Sequence, residues 1–134
     1  MAETDTLYHA LGGATGLRRL VDHFYEIMDQ RADARTIRRL HPRDLSRPAE
    51  KLFMYLSGYL GGPNLFIEKF GHPRLRARHL PFSIGIPERD QWLSCMAQAL
   101  ADHDTDDLLR QALMQAFSEL ADHMRNRPEP EETP

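Results

Sequence analysis

Leu17, Leu20, Val21, Phe24, Tyr25, Ile27 and Met28 recur at the spacing of one helical face. The same period returns in Trp92, Leu93, Met96, Ala99 and Leu100, and again in Leu109, Leu113, Phe117, Leu120 and Met124. A helix with such a stripe is stable only when the stripe is covered, so at least three helices must pack on one another. No segment alternates with the period of two that a half-buried strand needs. The expected fold class is all-α, and 134 residues supply one core, not two.

Turn and cap residues divide the chain between these stripes. Thr6 is placed to cap a short first helix carrying Leu7, Tyr8 and Leu11, which Gly12 and Gly13 end by allowing positive φ. The first long helix then runs over about 14–29. A weaker helical turn over about 33–39 closes at Leu40-His41-Pro42, because a residue before proline avoids the α region, and this puts His41 at a corner. Pro48 suits a first helical turn, with Glu50 at the positive end of the dipole. The run from Leu52 to Leu60 is apolar around more than half of its cylinder, which predicts contacts on two sides until Gly61-Gly62-Pro63 stops it.

Residues 64–71 carry Leu65, Phe66, Ile67 and Phe70 without a clean period and read as an irregular or partly helical connection. His72-Pro73 opens a short helix over about 73–79 that Leu80-Pro81-Phe82 terminates, so His79 is its last residue. Pro87 opens a long helix with Glu88 and Asp90 in its first turn, and Thr105 is expected to cap the last one. Residues 127–134 alternate proline with acid and read as a disordered tail behind a domain of residues 1–126.

Composition removes several classes of function. Charged residues, 28% of the chain, interrupt every apolar stretch well short of the roughly 18 residues of a membrane span, so no membrane partner is expected. The N-terminus is acidic and polar, without the features of a secretory leader, which predicts a cytoplasmic protein. A net charge of −3 does not favour nucleic acid. Cys95 is the only cysteine, which excludes an internal disulfide and any site needing two thiolates. It lies mid-stripe and reads as packing, not as a nucleophile.

Seven histidines are the obvious place to look for chemistry. His9, His23, His103 and His123 fall among charged neighbours and read as surface residues. His79 differs, because prolines on both sides of its short helix would hold the ring stiffly. Two readings stand for it: a metal ligand whose second nitrogen donates to the Leu75 carbonyl, or a structural histidine. Arg74, Arg76 and Arg78 beside Lys69 and His72 form a basic cluster, read as a solvated face or as a rim that pins an anionic small ligand. Tyr25, Tyr55 and Trp92 each bring a polar tip to an apolar face. Together with a stiff histidine and arginines they are what an apolar metal-cofactor pocket requires.

Three runs carry a resemblance. Tyr55 to Pro63 (YLSGYLGGP), Gly71 to Phe82 (GHPRLRARHLPF) and Glu88 to Met96 (ERDQWLSCM) are similar to the group II (O-type) truncated haemoglobins, and the likeness extends from Leu7-Tyr8-His9 through the final helix. It implies a two-over-two helical sandwich around haem b. Residue by residue it implies His79 as the proximal iron ligand, and Tyr25, His41 and Trp92 as distal residues. It further implies Leu52 over the haem, Lys51 and Arg78 at the propionates, and Tyr55, Phe82 and Met96 among the haem contacts. Pro48 departs from the small residue usual at its position, which bears on ligand entry.

On this resemblance the chain binds O₂ and other diatomic ligands at a five-coordinate iron, with donors from Tyr25, His41 and Trp92 slowing release. The alternative is a haem enzyme turning over peroxide or NO with an external reductase. Turnover with a physiological donor separates the two. A third reading, a helical interaction module without cofactor, requires a protein that stays colourless after haem is supplied. The expected assembly is a monomer or a homodimer.

Overall fold

The computed structural model describes residues 6–72, 74, 84–103 and 105–125. The expected short helix 73–79, its stop at 80–82 and the tail 127–134 lie outside the described residues. Among those described there is helix and no strand.

α1 (Leu7–Ala10) is capped as the sequence predicts, with the Thr6 hydroxyl accepting from the His9 N–H at 3.2 Å. Gly12 and Gly13 follow at φ 110° and 66°, which turns the chain directly into α2 (Gly13–Gln30). Gly16 is fixed by contact, since a Cβ there would lie 2.0 Å from the Leu11 carbonyl oxygen. A short 3-10 turn (Ala32–Ala34) leads into α3 (Arg35–Arg38), and the corner at His41 comes next.

α4 (Ser46–Tyr59) begins two residues before Pro48. Asp44 organises that start, accepting from the Ser46 N–H at 3.0 Å and from its hydroxyl at 2.6 Å, while the proline occupies a first-turn position that needs no N–H. Residues 65–70 form a complete short helix, α5 (Leu65–Phe70), where the sequence suggests only partial order. Six residues are too few to display a period, and burial of Phe66 fixes the segment instead.

α6 (Ile86–Asp102) places Pro87 in its first turn as expected, and the Glu88 carboxylate accepts from the Gly85 N–H at 2.6 Å. α7 (Asp107–Met124) is capped by Asp106, not by Thr105: the Asp106 carboxylate accepts from the Leu109 N–H at 2.7 Å. The Thr105 hydroxyl instead donates to the Leu100 carbonyl at 3.4 Å and closes the preceding helix.

α2 packs on α4 and on α6, while α6 packs on α7 and α4 on α5. The core is the meeting of their stripes. Leu20, Phe24 and Met28 of α2, Leu56 of α4, Met96 and Leu100 of α6, and Leu113 and Phe117 of α7 are fully buried. Each such side chain contributes about 1.5–3 kcal/mol of transfer free energy. Trp92 stands edge-on between Phe24, with ring centroids 5.1 Å apart, and Phe117, at 6.1 Å. These contacts anchor its ring.

His9 and His123 are exposed, whereas His23 and His103 are partly buried. His23 joins two long helices, with Nε2 2.8 Å from the Asp102 carboxylate and Nδ1 3.3 Å from that of Glu26. The hydrogen bond to Asp102 raises the imidazole above its ordinary range, against a smaller opposing effect of burial. A raised folded value makes the contribution complete below about pH 6.5 and removes it as pH climbs through the folded value. The side chain is 41% exposed, so the pair contributes no more than about 0.2–1 kcal/mol. Urea midpoints of the protein and of His23→Gln should therefore differ at about pH 6 and converge by about pH 8.5. A constant difference would show that His23 acts through packing.

Candidate functional site

Between the two pairs of long helices lies a cavity of about 640 Å³. Its wall is built from Tyr25 of α2, Ile37, Leu40 and His41 around the corner, Pro48, Leu52 and Tyr55 of α4, Phe66 of α5, Trp92 of α6, and Leu120, Ala121 and Met124 of α7, with Ile84 beside them. The volume is that of a site for a substantial small molecule, and the wall is mostly aliphatic and aromatic. Its charged members are Arg47, Lys51, Glu88 and Arg89.

Some polar groups at this wall are engaged with other residues and some are not. Glu88 and Arg89 are committed elsewhere, Glu88 to the Gly85 N–H and Arg89 to Asp90 at 3.1 Å and Asp122 at 2.8 Å. The Tyr25 hydroxyl and the Trp92 indole N–H have no hydrogen-bond partner among the described residues. Tyr25 is 7% exposed, and desolvation pushes its phenol up from the ordinary tyrosine value. It therefore stays a protonated donor. Two unpartnered donors at an apolar wall are the arrangement a polar end of a ligand would complete.

His41 is held differently. Its Nδ1 lies 2.9 Å from the Ile37 carbonyl, and a carbonyl only accepts, so Nδ1 carries the proton. In the neutral ring Nε2 is then an acceptor, and the donor role that the resemblance gives this residue would require the protonated ring. The imidazole also packs edge-on against Tyr25, with centroids 5.7 Å apart, which restricts the phenol.

This arrangement has known counterparts. The family model for bacterial-like globins matches residues 6–126. The chain belongs to that family. It is 41% identical to the group 2 truncated haemoglobin of Bacillus subtilis (strain 168), over 93% of this chain and 92% of that one. Superposition on the group II 2-on-2 haemoglobin of Agrobacterium tumefaciens gives a TM-score of 0.87 at 45% identity, covering 93% of this chain and 97% of that one. The truncated oxygen-avid haemoglobin of Bacillus subtilis superposes with a TM-score of 0.81 at 40% identity, covering 91% of this chain and 100% of that one. The fold of this globin is thus the two-over-two helical sandwich of the group II truncated haemoglobins, with α2 and α4 over α6 and α7.

Of the site residues named from the sequence of this globin, Tyr25, His41, Lys51, Leu52, Tyr55 and Trp92 converge on the one cavity. Met96, one turn beyond Trp92, is fully buried in the core and is not among the described residues lining the cavity. His79, Arg78 and Phe82 lie outside the described residues. Cys95 is fully buried, and burial pushes its thiol up, away from nucleophilic behaviour. Among the described residues no group of three or more His, Cys, Asp or Glu could hold a metal ion by itself.

The sequence reading missed Ile37, Leu40, Leu120, Ala121 and Met124 as cavity residues. Leu120 and Met124 belong to the stripe of α7, and a stripe residue facing a cavity has the same spacing as one facing the core.

Proposed function

We propose that this globin binds haem b in the cavity with His79 as the proximal ligand, and reversibly binds O₂ and other diatomic ligands on the opposite side. The observation that carries this reading is the pair of unpartnered donors, Tyr25 hydroxyl and Trp92 indole, at the wall of an apolar cavity in a group II truncated fold. The residues present fit the cofactor. Leu52, Tyr55, Phe66 and Met124 give apolar walls for a flat macrocycle, and Lys51 stands at the cavity with no acidic partner among the described residues. When bound, the haem supplies an iron with one position open to a gas molecule.

The chain's own residues would then act as follows. Apolar walls exclude water and strengthen each remaining polar contact. Tyr25 and Trp92 present hydrogen-bond donors to a ligand with partial negative charge, and His41 orients the Tyr25 ring. Pro48, at the cavity wall on the first turn of α4, puts a ring where the family has a small side chain and narrows that approach. The oxygen-avid relative from Bacillus subtilis supports O₂ as the ligand. Absorption spectra of the purified protein, with and without reductant and O₂, test this reading. A protein that takes up no haem when it is supplied would overturn it.

Lys51 and Arg78 are proposed to meet the haem propionates. Such pairs are partly wet and contribute about 0.2–1 kcal/mol each. Lys51→Gln and Arg78→Gln should each speed haem transfer to an acceptor apoprotein modestly, with the difference shrinking as salt rises. Unchanged rates at low salt would place both side chains elsewhere.

A further inference from the structure

The segment that runs from the corner into α4 carries a positive balance that the whole chain does not. Residues 35–51 hold six Lys or Arg against two Asp or Glu, a balance of +4 in a chain of net −3. Glu50 is paired with Arg18 and Arg38 with Asp29, while Asp44 accepts from Ser46 and keeps its charge. Arg43 is exposed beside Pro42, which lines the cavity. Arg47 and Lys51, one turn apart on α4, both line the cavity. Lys51 and Lys69 each stand over the Phe70 ring, with Nζ 5.7 Å and 5.5 Å from its centroid. Phe70 is 37% exposed and Ile67 50% exposed, so apolar surface lies among these cations. Arg43, Arg47, Lys51 and Lys69 have no acidic partner within ion-pair distance among the described residues.

We infer that this face is the docking surface of an acidic electron-donor protein. The inference rests on the haem reading above, because only a redox cofactor in the cavity gives such a donor something to reduce. A rim with an excess of unpaired cations around a small apolar centre is the make-up of a transient interface whose encounter is steered by charge. An acidic partner is complementary to this rim, and the remainder of the net-negative chain repels it, so the field selects orientation as well as partner. The transfer balances simply: one electron leaves the donor's reduced flavin and one is gained by the ferric cofactor, with no proton passing between the proteins.

The test uses the ferric haem-loaded protein and, as probe, reduced flavodoxin, an acidic flavin-bearing protein. Arg43→Gln/Lys69→Gln removes two cations without touching a cavity residue. Gln111→Glu/Ala112→Glu makes the same change in net charge on the exposed early part of α7, away from the cavity residues at the other end of that helix. At about 20 mM ionic strength the first variant should be reduced about tenfold more slowly than the parent, and the second less than about twofold. The gap should close at about 0.5 M salt. Calorimetric titration of oxidised flavodoxin into the oxidised globin should weaken in parallel, and photogenerated neutral lumiflavin should reduce all three proteins at one rate.

Equal rates for the two variants, or tighter binding of a short DNA duplex lost in the same Arg43/Lys69 variant, would overturn the docking surface while leaving haem binding intact. Failure to take up haem would overturn the functional reading, and this inference with it.

Discussion

His79→Ala is expected to lose the proximal bond and most of the affinity for haem, while His123→Ala on the exposed face of α7 should change neither. A single imidazole supplies the proposed protein bond to iron, and its removal leaves only apolar contacts and rim charges to hold the macrocycle. His41 lines the cavity and is held through Nδ1 by the Ile37 carbonyl. Titration of each apoprotein with haem, followed by the Soret band of the ferric, ferrous and CO forms, reads the outcome. A normal ferrous O₂ spectrum in the His79→Ala protein would remove the assignment. Adding free imidazole should partly restore a His79→Gly protein, which a merely structural role for the ring would not allow.

The fold was legible where a residue's own chemistry fixes its local backbone. Thr6 caps α1, the Gly12-Gly13 pair turns into α2, and Pro87 starts α6, because each preference is settled within a few residues. It was less legible where two neighbours compete for one role. Thr105 and Asp106 are both good caps, and the choice of Asp106 follows from the Thr105 hydroxyl being drawn back to the Leu100 carbonyl, a contact no spacing rule reports. α5 was obscured for another reason, since burial of Phe66 against α4 makes that helix and six residues carry no period.

The site divides along the same line. Tyr25 and Trp92 stood out because a polar tip on an apolar stripe needs a partner, and that signal is local. Leu120 and Ala121 carry no such signal, since only the packing of α7 against α6 decides whether they face core or cavity. The tautomer of His41 likewise depends on the Ile37 carbonyl one turn before it, which the corner brings into reach.

Trp92→Phe should accelerate O₂ dissociation by about 10- to 150-fold. The indole is a donor only, so it can stabilise a ligand with negative charge without competing to accept a proton. A hydrogen bond to a partly charged acceptor contributes about 1.5–3 kcal/mol, which converts to that range of rates. The substitution keeps an aromatic ring in contact with Phe24 and Phe117, so the loss of the donor is the main change, although the smaller ring also widens the cavity. CO gathers much less negative charge and serves as the control for shape. Stopped-flow dissociation of both gases separates the two effects, because a wider cavity acts on both alike, whereas a lost hydrogen bond acts on O₂. Equal acceleration of both would refute the donor role of Trp92. No acceleration of either would leave Tyr25, whose phenol is held protonated by burial, or a protonated His41 as the dominant donor.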